Sequence, residues 1–186
     1  MTRILGISGS LRRGSFNTAL LRAAQRVMPA GAELIEGSIA GIPLYNADDE
    51  NEHGLPEAVV TLKEQIVAAD GLLLITPEYN NSMPGVFKNA IDWTTRPGND
   101  IGRVYGGKPV AIMGATPGGF GTTLAQSSWL GVLRTLGTRP WFEGRLMVAR
   151  AGSVFDDDGR MTDEDMQAKL EKFLAGFVAF ASAQRG

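Results

Sequence analysis

The chain has no cysteine among its 186 residues and a single histidine. That absence excludes disulfides, thiolate catalysis, Cys-ligated zinc and iron–sulfur clusters together. Any redox chemistry must therefore come from a bound cofactor rather than a protein dithiol. An excess of charge of one sign is missing too. Eighteen basic residues against 20 acidic ones leave a formal net charge of −2, with no basic footprint for nucleic acid. No apolar run approaches the roughly 20 residues that cross a bilayer, so membrane insertion is not expected. The start, Met1-Thr2-Arg3-Ile4, passes straight into a strand pattern without the apolar core of a signal peptide. Cytoplasmic residence is the expectation.

What is present is the pattern of an α/β protein. With 44% hydrophobic residues the chain can bury one core, and 186 residues are short for two, so residues 1–186 are expected to form a single domain. Apolar runs of strand length alternate with longer helical patterns, as in a parallel sheet with crossover helices. Strands are expected at 3–8, 33–36, 71–75, 108–115 and 144–150. The run Gly71-Leu72-Leu73-Leu74-Ile75 is continuous rather than alternating, the mark of a central strand buried on both faces. Helices are expected at 17–28, 57–69, 84–93, from the glycine-rich loop to about 136, and from Thr162 to Ala181, where Thr162 and Asp165 form a weak capping box. The segment from Ser38 to Gly54, with Pro43 and Asp48-Asp49-Glu50, is read as irregular. By fold analogy the expected architecture is a flavodoxin-like, doubly wound α/β domain. It has five parallel strands in the order 2-1-3-4-5 and helices on both faces.

In such sheets ligands bind beyond the carboxyl ends of the strands, where the strand order reverses. Three loops of unusual composition leave those ends. The first, Gly9-Ser10-Leu11-Arg12-Arg13-Gly14-Ser15-Phe16-Asn17-Thr18, runs from a strand into the first turn of a helix. Helix N-terminal amides lack intrahelical partners and carry the positive end of the helix dipole, an arrangement that suits a phosphate. Ser10, Ser15, Asn17 and Thr18 add side-chain donors, and Arg12 or Arg13 adds full positive charge. The same residues also suit an ordinary polar turn with Asn17 or Ser15 as N-cap. The second loop, Thr76-Pro77-Glu78-Tyr79-Asn80-Asn81-Ser82-Met83-Pro84-Gly85, lies between two prolines that restrict its backbone. It can present amides and the Tyr79 ring to a flat heterocycle, or be a turn in which Asn80 and Asn81 cap themselves. The third, Ala115-Thr116-Pro117-Gly118-Gly119-Phe120-Gly121, lets backbone approach a ligand closely, or is only flexible.

Together Gly9-Ser10-Leu11-Arg12…Ser15…Asn17 and Pro77-Glu78-Tyr79-Asn80…Pro84-Gly85…Lys88-Asn89-Ala90-Ile91-Asp92-Trp93 resemble the NADPH-dependent FMN reductase family, which includes bacterial quinone and chromate reductases and related azoreductases. The resemblance runs over nearly the whole chain. It implies that Ser10, Arg12, Ser15 and Asn17, with Thr18 beside them, hold the FMN phosphate. It implies equally that Pro77, Glu78, Tyr79, Asn80 and Asn81 flank the isoalloxazine, with Thr116 and Gly118 from the third loop. Residues 117–123 depart from the family pattern. The activity implied is hydride transfer from NAD(P)H through bound FMN to a quinone, free flavin, azo compound or chromate as small-molecule acceptor. The flavin carries the chemistry, so no catalytic side chain is assigned. Relatives of this kind form homodimers or homotetramers, and Trp93, Trp129 and Trp141 are candidates for interface or core. A flavodoxin-type electron carrier is the competing reading, but such carriers are usually strongly acidic.

The remaining features read as structural. His53 stands in an exposed stretch without other histidines, and no metal site is expected there. Asp156-Asp157-Asp158-Gly159 lacks the glutamate that ends a calcium loop. Lys88 and Asp92 are spaced to pair on one helix face, and Phe173, Phe177 and Phe180 to pack on one face of the last helix.

Overall fold

The computed structural model describes residues 1–184. Strands β1 (Thr2–Ser8), β2 (Ala32–Gly37), β3 (Gly71–Ile75) and β4 (Pro109–Ala115) form where apolar runs occur, and all pair in parallel. Strand order is β2-β1-β3-β4-β5, with β5 spanning Arg139–Pro140. Every residue of β3 is buried, because helices cover both faces of the central strands. On one face lie α1 (Phe16–Arg26) and α7 (Glu164–Ala183); on the other lie α3 (Glu57–Ala68), α4 (Gly85–Thr94) and α6 (Thr123–Thr135).

The expected fifth strand is two strands. β5 pairs with Pro109–Val110 and β6 (Leu146–Val148) with Met113–Ala115, so the described sheet has six strands rather than five. Between them the chain leaves the sheet because Trp141 turns down onto α7, with ring centroids 5.2 Å from Phe173 and 5.9 Å from Phe177. Gly144 and Gly176 make the room, since a Cβ would stand 2.3 Å and 2.7 Å from the indole. A long-range aromatic contact thus overrides local strand propensity.

Two short helices lie outside the expected pattern. α2 (Ala47–His53) falls within the stretch read as irregular: Asn46 accepts from the Asp48 amide, and Asp48, Asp49 and Glu50 fill its first turn. His53 ends that helix, largely exposed. α5 (Ile101–Tyr105) follows α4 and packs on α3. The last helix is capped by Asp163, which accepts from the Met166 amide, and not by Thr162. Trp93, Trp129 and Trp141 are all buried, so within the protomer they are core rather than surface anchors. No helix among the described residues is long and apolar enough to cross a membrane.

From β1 the chain goes outward to β2 and then returns past β1 to β3. The order therefore reverses between β1 and β3, and the loops leaving those two strands face each other across the reversal.

Candidate active site

At this reversal point the three loops converge, and the Gly9 amide donates to the Ile75 carbonyl at 2.8 Å. Ser10, Arg12, Ser15, Asn17, Pro77, Glu78, Tyr79 and Thr116 line one cleft of about 100 Å³, together with Phe16, Ala115 and Pro117. Thr18, Asn80, Asn81 and Gly118 stand outside its wall. A larger cleft of about 260 Å³ between α6 and residues 141–145 shares none of these residues and is mainly apolar.

Each loop-1 side chain has a definite partner. Ser15 is the N-cap of α1, with φ −77° and ψ 124°, and its Oγ accepts from the Asn17 and Thr18 amides at 3.2 and 3.3 Å. The Thr18 hydroxyl pairs with Ser8 at 3.0 Å, bracing β1 against α1. Asn17 is buried, and its amide grips the backbone of Ala115. Its Nδ2 donates to the Ala115 carbonyl at 2.8 Å, and its Oδ1 accepts from the Ala115 amide at 2.9 Å. Thus Asn17 couples the first loop to the end of β4. Arg12 donates through Nε and a terminal nitrogen to the Gly14 carbonyl, with its guanidinium 5.8 Å from the centroid of the Phe16 ring.

Loop 2 ends in a tight hairpin. The Tyr79 and Ser82 backbones exchange hydrogen bonds of 2.9 and 3.1 Å, while Asn80 and Asn81 take φ of 48° and 63°. Two successive positive φ values define a type I′ turn, which asparagine tolerates better than other non-glycine residues. The two asparagines thus owe their places to backbone geometry. Tyr79 is about half exposed at the rim of the cleft. Glu78 turns away to α6, where its Oε2 accepts from the Leu124 and Ala125 amides at 2.8 and 3.0 Å.

In loop 3 the Thr116 Oγ accepts from the Gly118 amide, and the Gly118 carbonyl accepts from the Arg150 backbone amide. Arg150 itself takes the left-handed conformation at φ 49°. Gly114 allows this convergence: a Cβ there would lie 2.2 Å from both the Thr76 carbonyl and the Thr122 hydroxyl.

The second half of the Pro77–Trp93 motif works elsewhere. Asn89 Nδ2 and Trp93 Nε1 both donate to the Pro43 carbonyl, at 2.8 and 2.9 Å, and Asn89 Oδ1 accepts from the Tyr45 amide. They fasten the segment after β2 to α4. Lys88 and Asp92 pair at 2.7 Å as their spacing predicts. Sequence reasoning did not single out Phe16, Ala115 or Pro117 as cleft residues, though each adjoins a residue that it did.

The cleft's donor set is one for an anion. It offers hydroxyls, a guanidinium and the N-terminus of α1, and its one carboxylate is spent on α6. The donor chemistry fits the phosphate of FMN. The family model described as NADPH-dependent FMN reductase matches residues 2–153. The chain belongs to the NADPH-dependent FMN reductase family. It is 43% identical over 184 residues to an NAD(P)H-dependent FMN reductase of Pseudomonas aeruginosa, covering 99% of this chain and 97% of that protein. It is 39% identical over 183 residues to a 2-hydroxy-1,4-benzoquinone reductase of a Burkholderia species, covering 98% of each. Among solved structures it superposes on FerB, a flavoenzyme NAD(P)H:acceptor oxidoreductase of Paracoccus denitrificans, with a TM-score of 0.87, 34% identity and 98% of each chain covered. The flavodoxin-like order 2-1-3-4-5, with its added sixth strand, is thus the frame of an FMN reductase.

Proposed function

We propose that this member of the FMN reductase family oxidises NAD(P)H and reduces quinones, with FMN seated in the three-loop cleft. The supporting observation is the convergence of Arg12, Ser10 and the N-terminus of α1 on one side with Pro77–Tyr79 on the other, at the reversal of strand order. FMN, held there by Ser10, Arg12 and the residues of loop 2, would supply the hydride chemistry between NAD(P)H and the acceptor.

The chain's own residues bind and orient. Arg12 and Ser10 take the phosphate, for which the N-terminus of α1 is a ready-made anion site. Ser15 and Asn17 act chiefly by shape: one caps α1, the other fixes loop 1 to β4. The Pro77–Tyr79 backbone would flank the ring. Pro77 has no N–H and the Tyr79 amide is spent on Ser82, so the Glu78 amide is the backbone donor this segment would offer to negative charge there. Asn80, Asn81 and Gly118 shape the loops that would flank the cofactor.

Quinone is the acceptor best supported by the relatives, with free flavin, azo compounds and chromate as further candidates. The exposed Tyr79, Phe120 and Leu124 beside the cleft support a homodimer or homotetramer that covers them, and the absence of a membrane-length helix accords with a cytoplasmic enzyme. Anaerobic mixing of the FMN-loaded protein with NADPH tests the reading: the visible flavin band bleaches within seconds and returns on adding benzoquinone. A band that persists with NADPH and NADH alike overturns it in favour of an electron carrier. Sedimentation at micromolar concentration showing only monomer overturns the oligomer.

A further inference from the structure

The N-terminus of α6 is not capped by its own sequence. Thr122 stands at the cap position but makes no capping bond with its side chain; its hydroxyl accepts instead from Gln126 Nε2 at 3.1 Å. The first-turn amides of Leu124 and Ala125 are satisfied by Glu78, 46 residues earlier, through a single carboxylate oxygen at 2.8 and 3.0 Å. Two further bonds join the same elements. Trp129 Nε1 donates to the Thr76 hydroxyl at 3.1 Å, and the Ser82 hydroxyl reaches Ser128 at 3.4 Å. Loop 2 is thus tied to α6 before, at and after the residues that face the cleft. Because α6 follows directly from loop 3, the Glu78 bond sets the spacing between loops 2 and 3 as well.

We infer that Glu78 is a positioning residue: its carboxylate locks the Pro77–Tyr79 backbone to α6 and so sets the width of the slot between loops 2 and 3 without touching the flavin. The inference rests on the reading that this cleft binds FMN. A carboxylate beside an electron-accepting ring would oppose added negative charge. Here the Leu124 and Ala125 amides and the positive end of the α6 dipole absorb that charge. Glutamate suits the task because one oxygen can accept from two adjacent amides. Glutamine retains such an oxygen, whereas alanine leaves both amides to water.

The test compares Glu78→Ala and Glu78→Gln by three measurements. They are amide exchange at Leu124 and Ala125 in the flavin-free protein, FMN affinity by fluorescence titration, and the position of the bound flavin's visible band. Loss of a charge-assisted cap worth about 1.5 kcal/mol corresponds to roughly tenfold. Glu78→Ala should therefore raise exchange at the two amides and the FMN Kd by about tenfold each, and shift the visible band. Glu78→Gln should restore both quantities to within about threefold of the parent.

Unchanged exchange in Glu78→Ala would overturn the cap. Raised exchange with unchanged FMN affinity and band would make Glu78 a purely structural residue. Protected amides in Glu78→Gln together with a tenfold loss of FMN would show that the carboxylate meets the cofactor directly, and that arm decides the matter even if the alanine variant does not fold. Failure of the reductase reading appears separately, as absent FMN binding or bleaching in the parent protein.

Discussion

Arg96, just after α4, and Arg103, on α5, are each met by carboxylates, whereas Arg12, Arg13 and Arg150, at the carboxyl edge of the sheet, meet none among the described residues. In the first region Arg96 reaches Glu50 at 2.8 Å, and Arg103 reaches Asp100 at 2.7 Å and Glu64 at 2.8 Å. The buried Lys63 also holds Asp100 at 2.7 Å. Together these groups join α2, α3 and α5, and none of them lines the cleft. The same residue type is thus neutralised by the chain where it joins α2, α3 and α5, and left without a carboxylate at the sheet edge where we propose that FMN binds. The difference teaches that the paired arginines serve the fold, while among those without a carboxylate only Arg12 lines the three-loop cleft.

Asn17 is the sharpest challenge to that division, because it both lines the cleft and holds the backbone of β4. Asn17→Ala leaves the buried amide and carbonyl of Ala115 without partners, at about 1–3 kcal/mol for each group left unpaired. The variant should therefore lose stability in urea and bind FMN more than about tenfold more weakly. Loss of flavin with unchanged stability would recast Asn17 as a direct phosphate ligand. Arg12→Ala should separate the two properties. A charge-assisted bond to phosphate is worth about 1.5–3 kcal/mol, so FMN affinity should fall roughly 10- to 150-fold. Stability without flavin should stay within about 0.5 kcal/mol, as for other exposed substitutions. An unchanged FMN Kd would remove Arg12 from the site.

Much of this was legible in the sequence because it is local. The continuous Gly71–Ile75 run, the Ser15 cap and the proline-bounded loop all declare themselves within ten residues. The convergence of three loops on one cleft followed from strand order, itself carried by fold analogy. What was not legible depends on partners far along the chain. That Glu78 also caps α6, and that Asn17 also grips the backbone of Ala115, shows only once those distant partners are placed. The broken fifth strand requires Gly176 to lie under Trp141, a contact no local pattern contains. Helix α2, by contrast, carried a readable signal: Asn46 with Asp48, Asp49 and Glu50 after it is an N-cap with a favourable first turn.

Asp100 tests the structural set by pH. Hydrogen bonds from Arg103 and then Lys63 hold its carboxyl well below the usual carboxylate range. Because the folded value is depressed, its stabilisation is complete above the unfolded pKa of about 3.9 and drains away as pH falls below it. Asp100→Asn should lower the melting temperature at pH 7, flatten the acid limb below about pH 4, and leave FMN affinity within about twofold. An unchanged acid limb would show that other carboxylates govern acid unfolding.

Arg13 offers the smallest effect and the finest test of the unpaired set. It is exposed in loop 1 and lines not the three-loop cleft but a neighbouring one that also holds Arg22, Asp156, Asp157 and Asp158. If only Arg12 grips the phosphate, Arg13 acts on FMN at longer range through water. An exposed charge of that kind is worth about 0.2–1 kcal/mol, so Arg13→Ala should weaken FMN binding no more than about fivefold. Screening supplies the distinguishing readout, since the Debye length falls from about 30 Å at 0.01 M salt to about 8 Å at 0.15 M. The deficit of Arg13→Ala should shrink as salt rises between those limits, while that of Arg12→Ala, made through direct bonds, should persist. FMN titrations of both variants at the two salt concentrations read this directly. A salt-independent loss for Arg13 matching that for Arg12 would place both guanidinium groups on the phosphate.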